Sequence, residues 1–391
     1  MQLSRRAERI QPSATLTINA KAGEMKSRGE DVISLAAGEP DFSPPKHVTD
    51  RAMQAVKDGN TRYTPVPGKT ELRRAAAGYF EHFYGVRAKP ENIIAGNGGK
   101  QCLYTLCQCL LDAGDEVLIP APFWVSYPEM VGLADGVPVV LPTTPEEDFL
   151  LDPDKIDQAV GERTKVLILN TPSNPTGCHY SQQRLDRIME RALAHNLYVI
   201  SDEIYDQLVF SPAGPASAAP WFDSHPWRVA VVNGLSKSFA LTGWRIGYVL
   251  AHKEVIQAMS KIQGQSTSNI CTIAQEAAVA ALEGSFDFLA EKRDILAGRR
   301  DKALERMGSW SRAGCPRPDG AFYLFPRLDG YYSGSVTDST SMCTYLLEEA
   351  GVALVPGTAF GDDRCVRLSY ALNDQDLERA LERMGEALAK L

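Results

Sequence analysis

Short apolar runs alternate with amphipathic segments through the middle of the chain. The runs have the length and composition of buried strands and lie at 93–94, 116–119, 137–141, 165–169, 197–200, 228–232 and 246–250. Segments with helical periodicity lie between several of them, at 100–111, 124–133 and 181–195. Apolar strands separated by amphipathic helices predict an α/β fold whose sheet is mainly parallel and covered on both faces.

The two ends of the chain have a different pattern. Residues 1–45 are polar and broken by proline and glycine, with a short strand-like run at 32–35 and a predicted helix following at 47–58. After residue 250, helical periodicity at 255–282 and 286–307 leads to predicted strands at 321–325, 352–355 and 366–370 and a closing helix at 375–391. Together with the length of 391 residues, this predicts a large domain of residues 46–286 and a smaller α+β domain of 1–45 and 287–391.

Polar residues follow three of the predicted strands at the point where each strand ends. Asn174 follows the run at 165–169, Asp202 follows 197–200, and Lys237 follows 228–232. In an open parallel sheet, ligands bind outside the carboxyl ends of the strands. We therefore expect these three side chains to converge on one site.

Lys237 stands in the stretch NGLSKSFALTGWRIGY (233–248), between two apolar runs. One interpretation is a solvated lysine in a loop between strands. The other is an amine that forms a Schiff base, because partial burial beside a cation such as Arg245 helps a lysine to lose its proton. The residues of this stretch alone leave both interpretations open.

A glycine-rich turn, residues 95–99, joins a predicted strand to a helix that starts at Lys100. The free N–H groups and the positive end of the helix dipole suit an anion such as phosphate. The alternative is that these glycines are needed only for the turn itself and bind no ligand.

Charge and cysteine usage exclude several classes of protein. The net charge is −8 and no basic block is present, which argues against a nucleic-acid surface. No apolar run is long enough to span a membrane, and the N-terminus lacks the apolar core of a secretory signal. The eight cysteines form no CxxC pair and share no ligand spacing with the six histidines, so we expect no metal site and a reduced, cytoplasmic protein. Cys102, Cys107 and Cys109 lie on one predicted helix as small apolar residues.

Residues 234–247 fit the pyridoxal-phosphate attachment signature of class-I aminotransferases. The resemblance extends over nearly the whole chain, from SRRAERIQPSAT to VRLSYA, and is strongest to the subgroup that contains bacterial and thermophile aspartate aminotransferases. It implies fold type I, pyridoxal 5′-phosphate as cofactor, and a homodimer with shared active sites.

The resemblance also implies how the cofactor is held. Lys237 matches the Schiff-base lysine, Asp202 the partner of the ring nitrogen, and Trp124 the aromatic stacked on the ring. Asn174 and Tyr205 match the groups that bond the phenolic oxygen. The phosphate contacts fall on Gly98, Gly99, Lys100, Ser236 and Arg245, with Tyr63 reaching the neighbouring subunit's phosphate.

For the substrate, Arg367 of VRLSY matches the arginine that holds the α-carboxylate, and Gly38 matches a backbone contact to the same group. Lys100 matches a reader of the distal carboxylate, with Ser13 and Thr15 as helpers. Trp124 and Asn174 contact both cofactor and substrate in such enzymes. Relatives that accept prephenate carry a lysine where this chain has Gln11, which predicts poor use of prephenate.

Each of these residues also has a structural alternative. Asp202 could be the cap of a helix, Trp124 and Tyr205 could be aromatic residues of the core, and Arg367 could form an ion pair that only stabilises the fold. One position departs from the family, since many relatives have a serine where this chain has Gly234.

The implied function is amino-group transfer between aspartate or glutamate and 2-oxoglutarate or oxaloacetate. The alternatives are an aminotransferase of broader specificity, acting on aromatic or neutral amino acids or prephenate, another pyridoxal-phosphate reaction, or a ligand-sensing regulatory domain on this fold.

Overall fold

A computed structural model describes residues 3–391 and contains three sheets in that range. Its strands are β1 (Ile33–Ser34), β2 (Ile93–Asn97), β3 (Glu116–Ala121), β4 (Val137–Pro142), β5 (Thr164–Asn170), β6 (Tyr198–Asp202), β7 (Val229–Gly234), β8 (Ile246–Leu250), β9 (Tyr323–Leu324), β10 (Val352–Ala353), β11 (Val355–Pro356) and β12 (Val366–Ser369). Its α-helices are α1 (Arg5–Arg9), α2 (Ala14–Ser27), α3 (Lys46–Lys57), α4 (Thr70–Tyr84), α5 (Gly99–Leu110), α6 (Ser126–Leu133), α7 (Asp154–Ala159), α8 (Gln182–Ala194), α9 (Pro220–Ser224), α10 (Lys253–Ser266), α11 (Thr272–Glu283), α12 (Asp287–Met307), α13 (Ser339–Ala350) and α14 (Asp374–Leu388).

Seven strands form the main sheet, in the order β2-β8-β7-β6-β5-β3-β4. The pairs from β7 to β4 are parallel, and only β8 runs antiparallel to its neighbours β2 and β7. The predicted α/β fold with a mainly parallel sheet is thereby confirmed. The register pairs Asn170 with Asp202, so the ends of β5 and β6 reach the same edge of the sheet.

Both faces of the main sheet are buried along its central strands β5 to β8, as their near-continuous apolar sequences require, whereas the edge strand β4 is mostly exposed. Along β6, Val199 packs into a core formed with α4, α8 and α11, whereas Ile200 packs on the opposite face with α5, α6 and α10. Each such side chain contributes about 1.5–3 kcal/mol when fully buried. A rigid double-sided core therefore fixes the strand ends that carry the polar residues.

A separate core is built mainly from α12, α13, α14 and the short strands β9, β10 and β12. The antiparallel sheet β11-β12-β9 belongs to this part, and its β12 carries Arg367 toward the main sheet. The proposed division at 46–286 stays a prediction.

The structure corrects the predicted elements at several places. The helix expected over 255–282 is two helices, α10 and α11, because the chain turns between them with Ser268 in the left-handed region (φ 58°). The strand expected at 352–355 is split into β10 and β11. Helices α1, α2, α4, α7, α9 and α13 were not predicted from the sequence. In the described range, no helix combines the length and apolarity needed to cross a membrane.

Candidate active site

A cavity of about 260 Å³ lies at the carboxyl ends of β5, β6 and β7. Most of the predicted site residues line it. They are Gly38, Gly99, Lys100, Trp124, Asn174, Asp202, Tyr205, Ser236, Lys237, Arg245 and Arg367, together with the helpers Ser13 and Thr15. The structure thus brings together residues from both ends and the middle of the chain.

Lys237 follows β7 and is partly buried, with Nζ donating a hydrogen bond to the Gly38 carbonyl at 2.6 Å. Burial, then the guanidinium of Arg367 and that of Arg245, lower its pKa to about 8, against the opposing carboxylates of Glu39 and Asp202. The sequence pointed to Arg245 as the neighbouring cation, whereas Arg367 has the larger effect. An amine with this pKa loses its proton readily near neutral pH.

Asp202 is the last residue of β6 and is buried. Its Oδ2 accepts a hydrogen bond from the Tyr127 hydroxyl at 2.6 Å, and its Oδ1 accepts one from the Ile204 amide at 3.3 Å. Burial raises the pKa of Asp202 to about 6, and the bond from Tyr127 opposes that rise. Turns follow β6, and the next helix is α9, so the alternative interpretation of Asp202 as a helix cap is wrong.

Arg245 lies against the N-terminus of α5. Its Nη1 donates to the Thr242 carbonyl at 2.8 Å, and its backbone occupies the left-handed region (φ 56°), which a non-glycine residue adopts at a cost. Gly98, the N-cap of α5, has φ 82°, and a Cβ there would lie 2.5 Å from Nη2 of Arg245. The glycine therefore allows a guanidinium and a helix N-terminus to meet, which is a favourable arrangement for binding a phosphate.

Arg367 is buried at the other side of the cavity, with 2% of its surface exposed. It donates to the Asn174 side-chain oxygen at 3.0 Å and to the Ala36 carbonyl at 2.6 Å, and its buried Nε has no partner in the described chain. Its guanidinium packs over the rings of Tyr323 and Phe360. A buried guanidinium with an N–H that lacks a partner is suited to bind a carboxylate.

The cavity carries an excess of positive charge. Its lining has four cationic side chains and a single carboxylate, that of Asp202. None of the four, Lys100, Lys237, Arg245 and Arg367, forms a salt bridge with any carboxylate of residues 3–391. The structural ion-pair interpretation of Arg367 is therefore wrong, and the cavity is suited to anionic ligands.

Aromatic side chains enclose the space between the charged groups. Trp124 meets Tyr127 edge to face, with ring centroids 5.4 Å apart. The Tyr205 hydroxyl lies 2.8 Å from the Tyr323 hydroxyl, and both residues are buried. Lys100, which lines the same cavity as Ser13 and Thr15, places its Nζ 4.8 Å from the centroid of the Trp124 ring.

Two predicted residues do not line this cavity. Gly98 lies just behind it, against Arg245. Tyr63 is 92% exposed and lines a separate depression with residues 267–273. Gln11 faces an adjoining cavity, where its backbone amide lies 3.4 Å from Oε2 of Glu129.

The donor set fits pyridoxal phosphate. Arg245 and the N-terminus of α5 suit its phosphate, Asp202 suits its ring nitrogen, and Lys237 supplies an amine of lowered pKa. In the described part of the chain, no group of three or more His, Cys, Asp and Glu side chains is placed to hold a metal ion.

Several residues of the cavity were not predicted from the sequence, chiefly Leu16, Tyr127, Thr242 and Tyr323. Tyr127 follows Trp124 by three residues, which is the spacing of neighbours on one side of a helix, but the sequence does not show which side faces the cavity. Tyr323 enters from β9 and had no local signal.

The family model for aminotransferases of class I and II matches residues 30–384. An aspartate aminotransferase of Bacillus subtilis is 41% identical, with complete coverage of both chains. An aspartate/prephenate aminotransferase of Thermus thermophilus is 44% identical, with 99% of each chain covered. Among solved structures, the aspartate aminotransferase from Thermus thermophilus with maleate aligns with a TM-score of 0.94 at 42% identity, covering 99% of this chain and all of the other.

Proposed function

This chain belongs to the class I and II aminotransferases, and we propose that it moves the α-amino group between L-aspartate or L-glutamate and 2-oxoglutarate or oxaloacetate. Enzymes of this family depend on pyridoxal 5′-phosphate. The reaction consists of two half-reactions in ping-pong order, because amino acid and keto acid use the same site in turn.

One observation carries the proposal. Four cations without carboxylate partners line one cavity, and the cavity's single carboxylate, Asp202, lies at the end of the central strand β6. A phosphate and a substrate with two carboxylates supply the negative charge that this cavity lacks. A neutral substrate would leave at least one cation without a counter-ion.

Arg245, Ser236 and the amides at Gly98–Lys100 are proposed to hold the cofactor phosphate, and Trp124 to cover one face of the ring. Asn174 and Tyr205 are proposed to bond the phenolic oxygen; the contact of Asn174 with Arg367 uses the amide oxygen and leaves the amide nitrogen as a donor, which supports this role. When bound, the cofactor supplies an aldehyde that accepts the amino group and a ring that takes up electrons as the α-proton leaves.

The chemistry assigned to this chain is the handling of protons. Asp202 holds a proton at the ring nitrogen, and its own burial among apolar strands keeps water away from that bond. Lys237 Nζ takes the α-proton of the substrate and returns it to the cofactor's aldehyde carbon. A pKa lowered to about 8 by burial and by Arg367 leaves a useful fraction of that amine neutral near pH 7.

Substrate selection is assigned to three groups. Arg367 binds the α-carboxylate with its planar fork, and the Gly38 backbone contacts the same group. Lys100 is proposed to bind the distal carboxylate, helped by Ser13 and Thr15, which line the same cavity. The Thermus thermophilus relative was solved with maleate, which is a dicarboxylate, and this supports the assignment.

Prephenate is proposed to be a poor substrate. Relatives named as prephenate aminotransferases include the Thermus thermophilus protein, so the family likeness alone leaves this activity open. Gln11 lines the adjoining cavity rather than the main one and carries no charge to offer a second carboxylate.

We also propose a cytoplasmic homodimer with shared active sites. Tyr63 is the most exposed of the large apolar side chains in the described residues and lies away from its own cavity, as expected for a residue that serves a partner. Sedimentation equilibrium tests the dimer, and a mixture of Lys237→Ala and Tyr63→Ala chains tests the sharing. If sites are shared, the mixture gains activity by forming dimers with one intact site.

The proposed reaction is tested by incubating the protein and pyridoxal phosphate with aspartate and 2-oxoglutarate and measuring glutamate. Glutamate formation supports the proposal. Pyruvate-type products or carbon dioxide would indicate a lyase or decarboxylase, and binding without turnover would indicate a sensor. A panel of aromatic and neutral amino acids then measures the breadth of specificity.

A further inference from the structure

Tyr127 is a buried tyrosine whose hydroxyl reaches the carboxylate proposed to bind the ring nitrogen. It lies near the start of α6, 2% exposed, and donates to Oδ2 of Asp202 at 2.6 Å. The second donor to this carboxylate, the Ile204 amide, lies at 3.3 Å from Oδ1. The tyrosine therefore makes the shorter of the two bonds that orient Asp202.

The same side chain also touches the aromatic wall of the cavity. Its ring packs edge to face against Trp124, with an angle of 84° between the ring planes. Such aromatic pairs have a preferred geometry and contribute beyond their buried area. Tyr127 thus links the wall proposed to cover the cofactor ring to the group proposed to bond its nitrogen.

We propose that Tyr127 is a positioning residue for the cofactor, whose hydroxyl fixes one oxygen of Asp202 in an orientation that would let the carboxylate bond the ring nitrogen. The inference rests on the proposed function, since it assigns a role toward pyridoxal phosphate. Tyr127 acts through Asp202 and does not itself handle the α-proton.

The groups around Asp202 explain why one hydroxyl has this effect. Burial disfavours the carboxylate, and the bond from Tyr127 is the largest influence in the opposite direction, ahead of the Ile204 amide and the charge of Lys237. Tyr205 and the buried thiol of Cys102 also feel the charge of Asp202. Since these groups remain when only the Tyr127 hydroxyl is removed, the pKa of Asp202 should then rise.

The test measures binding of pyridoxal phosphate to the cofactor-free protein by equilibrium dialysis as a function of pH. Tyr127→Phe should bind about tenfold more weakly than wild type near pH 6, because one charge-assisted hydrogen bond is lost and Asp202 is protonated more often. The difference in affinity between wild type and Tyr127→Phe should become smaller toward about pH 9, where Asp202 is ionised in both proteins. A merely structural role of Tyr127 would weaken binding equally at every pH.

Tyr198→Phe is the matched control. Tyr198 lies on β6, the strand that ends at Asp202, and its buried hydroxyl has no partner in the described chain. Its removal should leave the binding curve unchanged. If Tyr127→Phe does not fold, 3-fluorotyrosine at position 127 is the second variant, because it keeps the shape of tyrosine and is a stronger hydrogen-bond donor. The pKa of Asp202 should then fall, so cofactor binding should persist to lower pH than in wild type.

A double-mutant cycle with Asp202→Asn separates this inference from the proposed function. If Tyr127 acts through Asp202, Tyr127→Phe should have little effect on affinity in the Asp202→Asn background. Superimposable pH curves for wild type and Tyr127→Phe, with weakened binding in Asp202→Asn, would overturn the role of Tyr127 alone. A wild-type protein that does not bind the cofactor would instead count against the proposed function, whereas an Asp202→Asn variant that binds it like wild type would also overturn the role of Tyr127, which acts through Asp202.

Discussion

Two buried arginines of this protein differ in what surrounds them. Arg299, on α12, binds both oxygens of Asp41 at 2.8 and 2.9 Å and reaches Asp374 at 2.9 Å through Nε. Arg367, on β12, has carbonyl and amide oxygens as partners and no carboxylate among residues 3–391. Burial lowers the pKa of Arg367, whereas at Arg299 the bonds to Asp41 and Asp374 outweigh burial and raise the pKa.

The difference shows how a structural charge is distinguished from a ligand-binding one. A buried cation is costly unless a counter-charge is present. Arg299 has its counter-charges within the chain and joins the segment that follows Gly38 to the C-terminal helix α14. Arg367 and the other cations of the cavity lack theirs, so the counter-charges are expected from outside.

The largest expected effect is the loss of the unpaired amine at Lys237. Lys237→Ala should abolish transamination, a loss on the order of 10⁴-fold or more, and should remove the borohydride-reducible link to the cofactor. Peptide mapping after reduction measures the link, and Lys253→Ala, at an exposed position of α10, is the control. Labelling of a different lysine in wild type would remove Lys237 from the centre of the mechanism.

The comparison itself is tested by making the same substitution at both arginines. Arg367→Met should raise KM for aspartate by about 10²-fold or more, because charge-assisted bonds to the α-carboxylate are lost, while Tm of the cofactor-free protein stays level or rises. Arg299→Met should lower Tm by a few degrees, because Asp41 and Asp374 lose their partner, with KM nearly unchanged. Similar losses of stability in both variants would contradict the distinction between them.

A smaller effect is expected at the cavity rim. Lys100→Ser should cut kcat/KM for aspartate and glutamate about ten- to a hundred-fold, since one charge-assisted bond to the distal carboxylate is lost. Alanine and phenylalanine, which lack that carboxylate, should be affected much less. Equal losses on acidic and neutral substrates would leave the aminotransferase assignment standing without its preference for aspartate.

The smallest expected effect concerns a buried carboxylate, Glu203, which extends the comparison of paired and unpaired buried charges from arginines to an acidic residue. Glu203 accepts hydrogen bonds from the Ser201 and Ser217 hydroxyls and the Ala218 amide, and burial raises its pKa to about 7. A folded-state pKa above the unfolded value means that its contribution to stability is full below about pH 4.5 and is lost as pH rises through about 7.

Glu203→Gln should therefore gain Tm relative to wild type as pH rises from about 5 to 8, by a few degrees. Thermal melts at several pH values measure this gain, and Glu190→Gln, at an exposed position of α8, is the control. Parallel curves of Tm against pH for wild type and Glu203→Gln would contradict this prediction, because they would show that Glu203 has the same pKa in the folded and unfolded protein.

The central sheet was predictable because its strands are apolar on both faces and separated by amphipathic helices. The convergence of Asn174, Asp202 and Lys237 followed from the same pattern, since parallel strands end at one edge. Family signatures supplied the roles assigned to Trp124 and Tyr205, which periodicity alone does not give.

Other features depend on contacts that the linear pattern does not contain. Helix α2 buries only Ala22 of its residues, so it lacks a clear apolar stripe. The effect of Arg367 on Lys237 joins residues 130 positions apart in the chain and needs the small antiparallel sheet to bring them together. Tyr127 required knowledge of which way the first turn of α6 faces.

The unpaired cations of the cavity also connect the lifetime of this protein to its vitamin-derived cofactor. Repulsion among the cations weakens the empty fold, and any anion that binds the native state and not the unfolded chain stabilises it by mass action. Phosphate buffer should therefore protect the empty protein against heat and protease and should compete with the cofactor. In a cell short of the vitamin, a larger share of these chains would be open to degradation, so the amount of enzyme should follow cofactor supply as well as gene expression.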